Sequence, residues 1–256
     1  MNQQRSGVAV MEPARHPIGD EGSLSTVRRT ARLTGLWYLA LAIAGMVGFL
    51  LLRPQVYVPG DPAATAANLV EQEGVARLGL VLELTVVVAQ ALVAVWFYKL
   101  FRSINQTAAF ALALFGVVNS IAIMTSAVFM ATALSVVGNA GLAPGADAAA
   151  TAQLMYQLSA NSWAVGGLFF GLWLIPMGHI AATSGAMPKW LGRVLILGGG
   201  GYLLSTVLQL GLAGTPTWLI DVLPIPATIG ELWIIGYLLL IGVRETTWSG
   251  QADVSR

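Results

Sequence analysis

The stretch LTGLWYLALAIAGMVGFLLL, residues 33–52, runs for twenty positions without a charge and is bracketed by Arg32 and Arg53. A helix of about 20 mainly apolar residues is what the hydrocarbon core of a bilayer requires. Working outward, five further runs are likewise long and mainly apolar: residues 78–97, 108–137, 156–182, 191–212 and 226–243. The third and fourth are long for a simple crossing, which implies tilt or extension past the hydrocarbon. The expected fold is all-α, a six-helix transmembrane bundle over residues 30–245. Residues 1–29 read as a disordered cytoplasmic tail and residues 246–256 as a cytoplasmic tail. The first tail lacks the apolar core and small-residue cleavage site of a signal peptide.

Composition supports this reading. The chain is 56% hydrophobic and 10% charged, against about 25% charged in an average soluble domain. Too few polar side chains exist to cover a water-facing surface. The net charge of +1 gives no electrostatic footprint for nucleic acid. With no cysteine, thiol nucleophiles, disulfides and thiolate-held metals are excluded. Only two histidines are present, His16 and His179, too few for a paired-histidine haem centre. No cofactor or metal is expected.

Orientation follows from the positive charges. Eleven of the thirteen Lys and Arg residues fall in the two tails, in the loop with Lys99 and Arg102, and in the loop with Lys189 and Arg193. The two exceptions, Arg53 and Arg77, flank the first loop. The positive-inside rule places both termini in the cytoplasm of a cell membrane. In the first outer loop, Asp61-Pro62 is a helix-start signal, because the aspartate accepts free N–H groups and proline has none to waste. A short surface helix is expected over residues 63–75. Trp37, Tyr38, Trp96, Tyr98, Trp190 and Trp248 read as interfacial anchors without chemistry.

The 29 glycines include Gly167 and Gly171, spaced G-x-x-x-G, and the run Gly198-Gly199-Gly200-Gly201. Small residues let helix backbones approach closely in lipid. A flexible point in a moving helix is the alternative.

Ionisable groups within spans are costly and therefore functional candidates. Glu83 and Glu231 qualify. Counted from the expected span ends, both lie roughly 7–10 Å below the outer boundary. Asn161 and Gln209 fall in the same slab, and Gln90 lies two helical turns below Glu83 on its face. These five residues are the candidate polar cavity, with Arg53 and Arg77 as candidate rim partners. His179 and Asp221 read as interfacial and solvated groups.

Several blocks resemble a known family: Ala31-Arg-Leu-Thr-Gly35-Leu-Trp-Tyr38-Leu39, Gly60-Asp61 with Thr65-Ala-Ala-Asn68, Phe169-Phe170-Gly171 with Ser184-Gly185 and Pro188, and Ile229-Gly230-Glu231-Leu232. Together they resemble the bacterial membrane family called domain of unknown function 4386. The resemblance implies a multi-pass helical membrane protein with no established activity. It also implies a basic residue in the third span near Gly116 and an acid near Glu83. This chain departs from the first and keeps the second.

Three functions compete at this level. One is binding or transport of a small solute or cation through an outward-facing polar cavity, with lipid as surroundings and a homo-oligomer as the natural assembly of so small a transporter. Another is a structural or regulatory scaffold with no substrate. The third, an intramembrane enzyme, would have only a carboxylate pair to work with and is disfavoured.

Overall fold

A computed structural model describes residues 18–244 of the chain, with side chains from Ser25 onward. The helices are α1 (Ile18–Gly45), α2 (Arg53–Val56), α3 (Pro62–Glu71), α4 (Glu73–Phe101), α5 (Gln106–Gly138), α6 (Ala148–Thr183), α7 (Lys189–Gly211), α8 (Thr217–Val222) and α9 (Ile225–Leu240). A π-helical segment, Met46–Leu52, joins α1 to α2. No strand occurs among the described residues. Among the described residues six helical stretches are long and apolar enough to cross a membrane, including Ser25–Val56 and Thr217–Leu240.

The exposed faces decide what surrounds the bundle. On α4 the exposed positions include Leu78, Val81, Leu84, Val88 and Val95, while Glu83 and Gln90 face inward with Val86, Val93 and Phe97. An apolar outside over a partly polar inside inverts the soluble pattern and fits lipid as the solvent. The protein is a multi-pass, all-α membrane protein.

The main helix contacts run α1 to α4, α4 to α5, α5 to α6, α6 to α7, α7 to α9 and α9 back to α1. The six spans therefore form a closed ring in chain order. Side chains that point into this ring meet residues from across it, which is how the site is assembled. Its centre is filled by Tyr38, Phe97, Phe101, Leu112, Trp173 and Met177, all buried. With 29 to 36 residues, α4, α5 and α6 are about 43–54 Å long, well beyond a 30 Å hydrocarbon core.

Glycine sets the spacing of α7. A Cβ on Gly171 would stand 2.8 Å from the Gly199 carbonyl oxygen, and one on Gly178 2.6 Å from that of Gly192. On its other side, α7 meets the break between α8 and α9. A Cβ on Gly198 would collide with the backbone of Ala227, and one on Gly201 with the Leu223 carbonyl oxygen. Ser205 donates to the Ile220 carbonyl at 2.9 Å. A broken span is tolerated in lipid when neighbouring side chains take up the freed backbone groups in this way.

Some boundaries differ from expectation. The first helix begins at Ile18 rather than near residue 30, so residues 18–29 are helical. Residues 1–17 and 245–256, with His16, Trp248 and the expected C-terminal tail, lie outside the described residues. The sixth span starts at Thr217, not at 226, because α8 precedes the Pro224 break. The surface helix is present: Asp61 caps α3 by accepting from the Ala64 N–H at 2.9 Å. It ends at Glu71, and Gly74 belongs to the first turn of α4. Replacing Asp61 with alanine is expected to lower stability by about 1 kcal/mol. Faster hydrogen exchange confined to residues 62–71 would register the loss, whereas unchanged exchange there would contradict the capping role.

Candidate functional site

Arg53 is not at the rim. Only 8% of it is exposed. Its Nη1 donates to Ser159 Oγ at 3.0 Å and its Nη2 to the Tyr156 carbonyl at 2.9 Å. The rings of Phe49, Tyr57 and Tyr156 each have their centroid 5.5 Å from the guanidinium carbon. Aromatic faces carry negative charge density and stabilise a cation withdrawn from water. The π-helical turn ends just before Arg53, a position where such irregularities often accompany function.

Ser159 lies 2.7 Å from Ser126 Oγ, and Ser126 in turn faces the Glu83 carboxylate. The ends fix the direction of this chain. A guanidinium can only donate and an ionised carboxylate can only accept. With Glu83 ionised, Ser159 accepts from Arg53 and gives its proton to Ser126, whose own hydrogen is then free to turn toward Glu83. Trp163 Nε1 donates to Glu83 Oε1 at 2.8 Å. Glu83 is as buried as Arg53, at 8% exposed. Opposite charges from α2 and α4 are thus joined through hydroxyls of α5 and α6. The segment after α2 and helix α3 cover this end of the ring, where Thr65 donates to Gln153 Oε1 at 2.7 Å.

Glu231 belongs to a different level. It accepts from the Tyr38 hydroxyl at 2.5 Å. The Tyr38 ring meets Phe97 at 5.7 Å and Trp173 at 5.4 Å, both edge-on. Phe97 follows Glu83 by fourteen residues, or about 21 Å of helix. The two carboxylates do not share a depth. The expected equality came from counting Glu231 from residue 226, whereas its span begins at Thr217.

The other candidates separate further. Gln90 is completely buried midway between Glu83 and Phe97 on one face of α4. Asn161 and Gln209 are exposed, and Asn161 only accepts from Gln157 at 3.2 Å. Arg77 is an exposed partner of Glu73, at 2.6 Å, and reaches neither interior carboxylate. His179 and Asp221 are exposed. The structure thus brings Arg53 and Glu83 together, stations Gln90 below them, and leaves Asn161, Gln209 and Arg77 outside. Among the described residues no three His, Asp or Glu side chains converge as metal ligands do.

Tyr38 is the clearest addition. It is not an interfacial anchor, being 1% exposed inside the ring. Its signal in the sequence is phase: Ala31, Thr34, Tyr38 and Leu41 repeat at helical spacing and are all buried. On α6 the buried Tyr156 and Ser159 and the half-buried Trp163 share one face by the same spacing, whereas Asn161 falls on another side.

A family model described as Domain of unknown function (DUF4386) matches residues 33–242 of this chain. The chain belongs to that DUF4386 family. The match covers every span from α1 to α9, so the site residues named above all lie within the DUF4386 region. An uncharacterized protein of Archaeoglobus fulgidus is 38% identical over 45 residues, which is 18% of this chain and 28% of that protein. The chain thus matches under a third of the length of that relative. No solved structure matches the chain. The basic residue that the family resemblance implied near Gly116 is absent. A Cβ at Gly116 would stand 3.0 Å from Trp173 and 3.4 Å from Gln90 Nε2. Arg53 provides the positive charge beside Glu83 instead.

Proposed function

We propose that this protein binds a small polar solute or cation at the Arg53–Ser159–Ser126–Glu83 cluster, as a binding or transport protein of the cell membrane with both termini cytoplasmic. In this orientation α3 lies outside and covers the entrance. The observation that carries the reading is the pair of opposite charges withdrawn into an apolar ring and joined only through two hydroxyls. Burying both ions in lipid costs several kcal/mol each, and a hydrophobic pair of similar volume would hold the helices at least as well. A ligand that engages the guanidinium, the hydroxyls or the carboxylate gives that arrangement a use. The apolar outer faces of the helices take lipid as their partner.

A scaffold without substrate is the second reading, favoured by the glycine contacts that fix α7 against α6 and α9. Accessibility separates the two. The chain has no native cysteine, so Ser159→Cys and a control, Asp147→Cys, can be placed singly in the full protein. A membrane-impermeant thiol reagent applied to intact cells is expected to label both, with Ser159→Cys the slower. Labelling of the control alone would favour the scaffold. If the control stays unlabelled in intact cells and reacts after lysis, the orientation is reversed.

A further inference from the structure

We propose that the groove between the start of α1 and the end of α9 binds an anionic phospholipid, with its phosphate on Arg28, Arg29 and Arg32 and its acyl chains along Leu33, Leu36 and Leu239. The site lies at the opposite end of the first span from Arg53, which follows Arg32 by 21 residues, or about 30 Å of helix. It stands independently of the solute-binding reading.

The groove follows from the spacing of residues on α1 and from close packing beside them. Arg28, Arg32 and Leu36 recur every four residues, which sets them on one face of α1, and Arg29 and Leu33 stand next to that row. Gly35 lets α9 come close, since a Cβ there would be 3.0 Å from Leu239 Cγ. Just past α9, a Cβ on Gly242 would be 3.8 Å from the Ala31 Cβ and 3.9 Å from Arg28 Cγ. The two helices thus pack along one seam and leave beside it a groove of about 560 Å³ lined by these arginines and leucines. Small-molecule sites occupy roughly 300–1,000 Å³, so the groove has room for a headgroup.

Polarity along the groove changes in the order in which a phospholipid changes. The switch falls between Arg32 and Leu33, where the charge-free run 33–52 begins. The guanidinium groups therefore stand at headgroup level and Leu36 within the hydrocarbon. Arg28, Arg29 and Arg32 are exposed, and Leu36 is 54% exposed, so all four are open to lipid. No acidic side chain lines the groove among the described residues. Guanidinium groups hold phosphate through paired, parallel N–H donors. A zwitterionic headgroup would bring its own cation into this arginine cluster, and an anionic one would not, which selects the charge class of the lipid.

Other cations at this end of the ring are placed differently. Lys99 Nζ lies 4.7 Å from the Trp96 ring centroid, and Arg193 Cζ lies 4.6 Å from that of Trp190. Each is a single cation over an aromatic ring, as an interfacial anchor requires, and neither lines the groove.

The test is native mass spectrometry of the full chain in detergent, titrated with phosphatidylglycerol or with phosphatidylcholine to give the dissociation constant of the first bound lipid. An arginine beside anionic lipid contributes a factor of about five in affinity, so phosphatidylglycerol is expected to bind about tenfold or more tightly than phosphatidylcholine. Arg29→Gln with Arg32→Gln should remove most of that preference, and Lys99→Gln with Arg102→Gln should leave it intact. Leu36→Glu keeps every arginine but sets a carboxylate among the acyl chains, and is expected to weaken phosphatidylglycerol binding by about tenfold. It carries the test should the double arginine variant fail to fold. Equal constants for the two lipids in the wild type would overturn the proposal. So would a preference that Arg29→Gln with Arg32→Gln leaves unchanged, or one that the Lys99 and Arg102 variant loses to the same extent. Displacement of phosphatidylglycerol by an equal concentration of inorganic phosphate would overturn the lipid as the source of the phosphate.

Discussion

Alanine at Gly198 or Gly201 is expected to remove most of the folded protein, while alanine at Gly200, their neighbour, leaves it folded and slightly more stable. The three positions differ only in what lies beside them. A Cβ on Gly198 meets the Ala227 backbone and one on Gly201 meets the Leu223 carbonyl, but nothing lies within 4 Å of a Cβ on Gly200. Overpacking against mobile side chains costs about 1–3 kcal/mol. Backbone cannot rotate away, so the cost at these two positions is at or above the top of that range. At Gly200 the expected change is the helix propensity gain alone, about 0.8–1 kcal/mol. Thermal unfolding in detergent, followed by loss of the monodisperse peak, reads all three. The comparison also separates packing from hinging. If the four-glycine run served as a flexible point, Gly200→Ala would impair the protein along with the others.

The same contrast explains what a reader of the chain can and cannot see. The spans were legible because lipid imposes a length and a composition, and a segment such as residues 33–52 satisfies both without help from its neighbours. The cap at Asp61 was legible because it acts within three residues. Glu83 and Glu231 stood out because charge within a span is rare. Their partners did not, since Ser126, Ser159 and Trp163 meet Glu83 or Arg53 only when α2, α4, α5 and α6 close into a ring. Two signals were nonetheless present. Arg53 was an exception to the charge asymmetry of the loops, and a cation on the wrong side of that count is a candidate for an interior role. Helical phase set Ser159 and Trp163 on one face of α6 and Asn161 on another. Depth failed where local chemistry broke a helix: Pro224 interrupts the sixth span, and counting from beyond the break made Glu231 too shallow.

The second large effect is expected at Arg53. Replacing it with alanine leaves the Glu83 carboxylate buried without its counter-charge, and loss of one partner of a buried pair costs about 3–5 kcal/mol. Removing both charges together is milder, because neither is then left buried without its counter-charge. The double variant Arg53→Met with Glu83→Gln is therefore expected to recover most of the stability lost by Arg53→Ala or Arg53→Met alone. The two positions couple through Ser159 and Ser126, so a double-mutant cycle on thermal stability should give an interaction of about 1–3 kcal/mol. Ser159→Ala gives the complementary reading. It leaves both charges and removes the hydroxyl between them, so Arg53 Nη1 loses its acceptor and Ser126 its donor. A cost of about 1–3 kcal/mol is expected, and in the Arg53→Met background it should shrink, because Ser159 then has no cation to receive. Additive costs at Arg53 and Glu83 would mean that each group is held by its own surroundings. The hydroxyl chain would then be incidental, and with it the reason for regarding this end of the ring as a built ligand site.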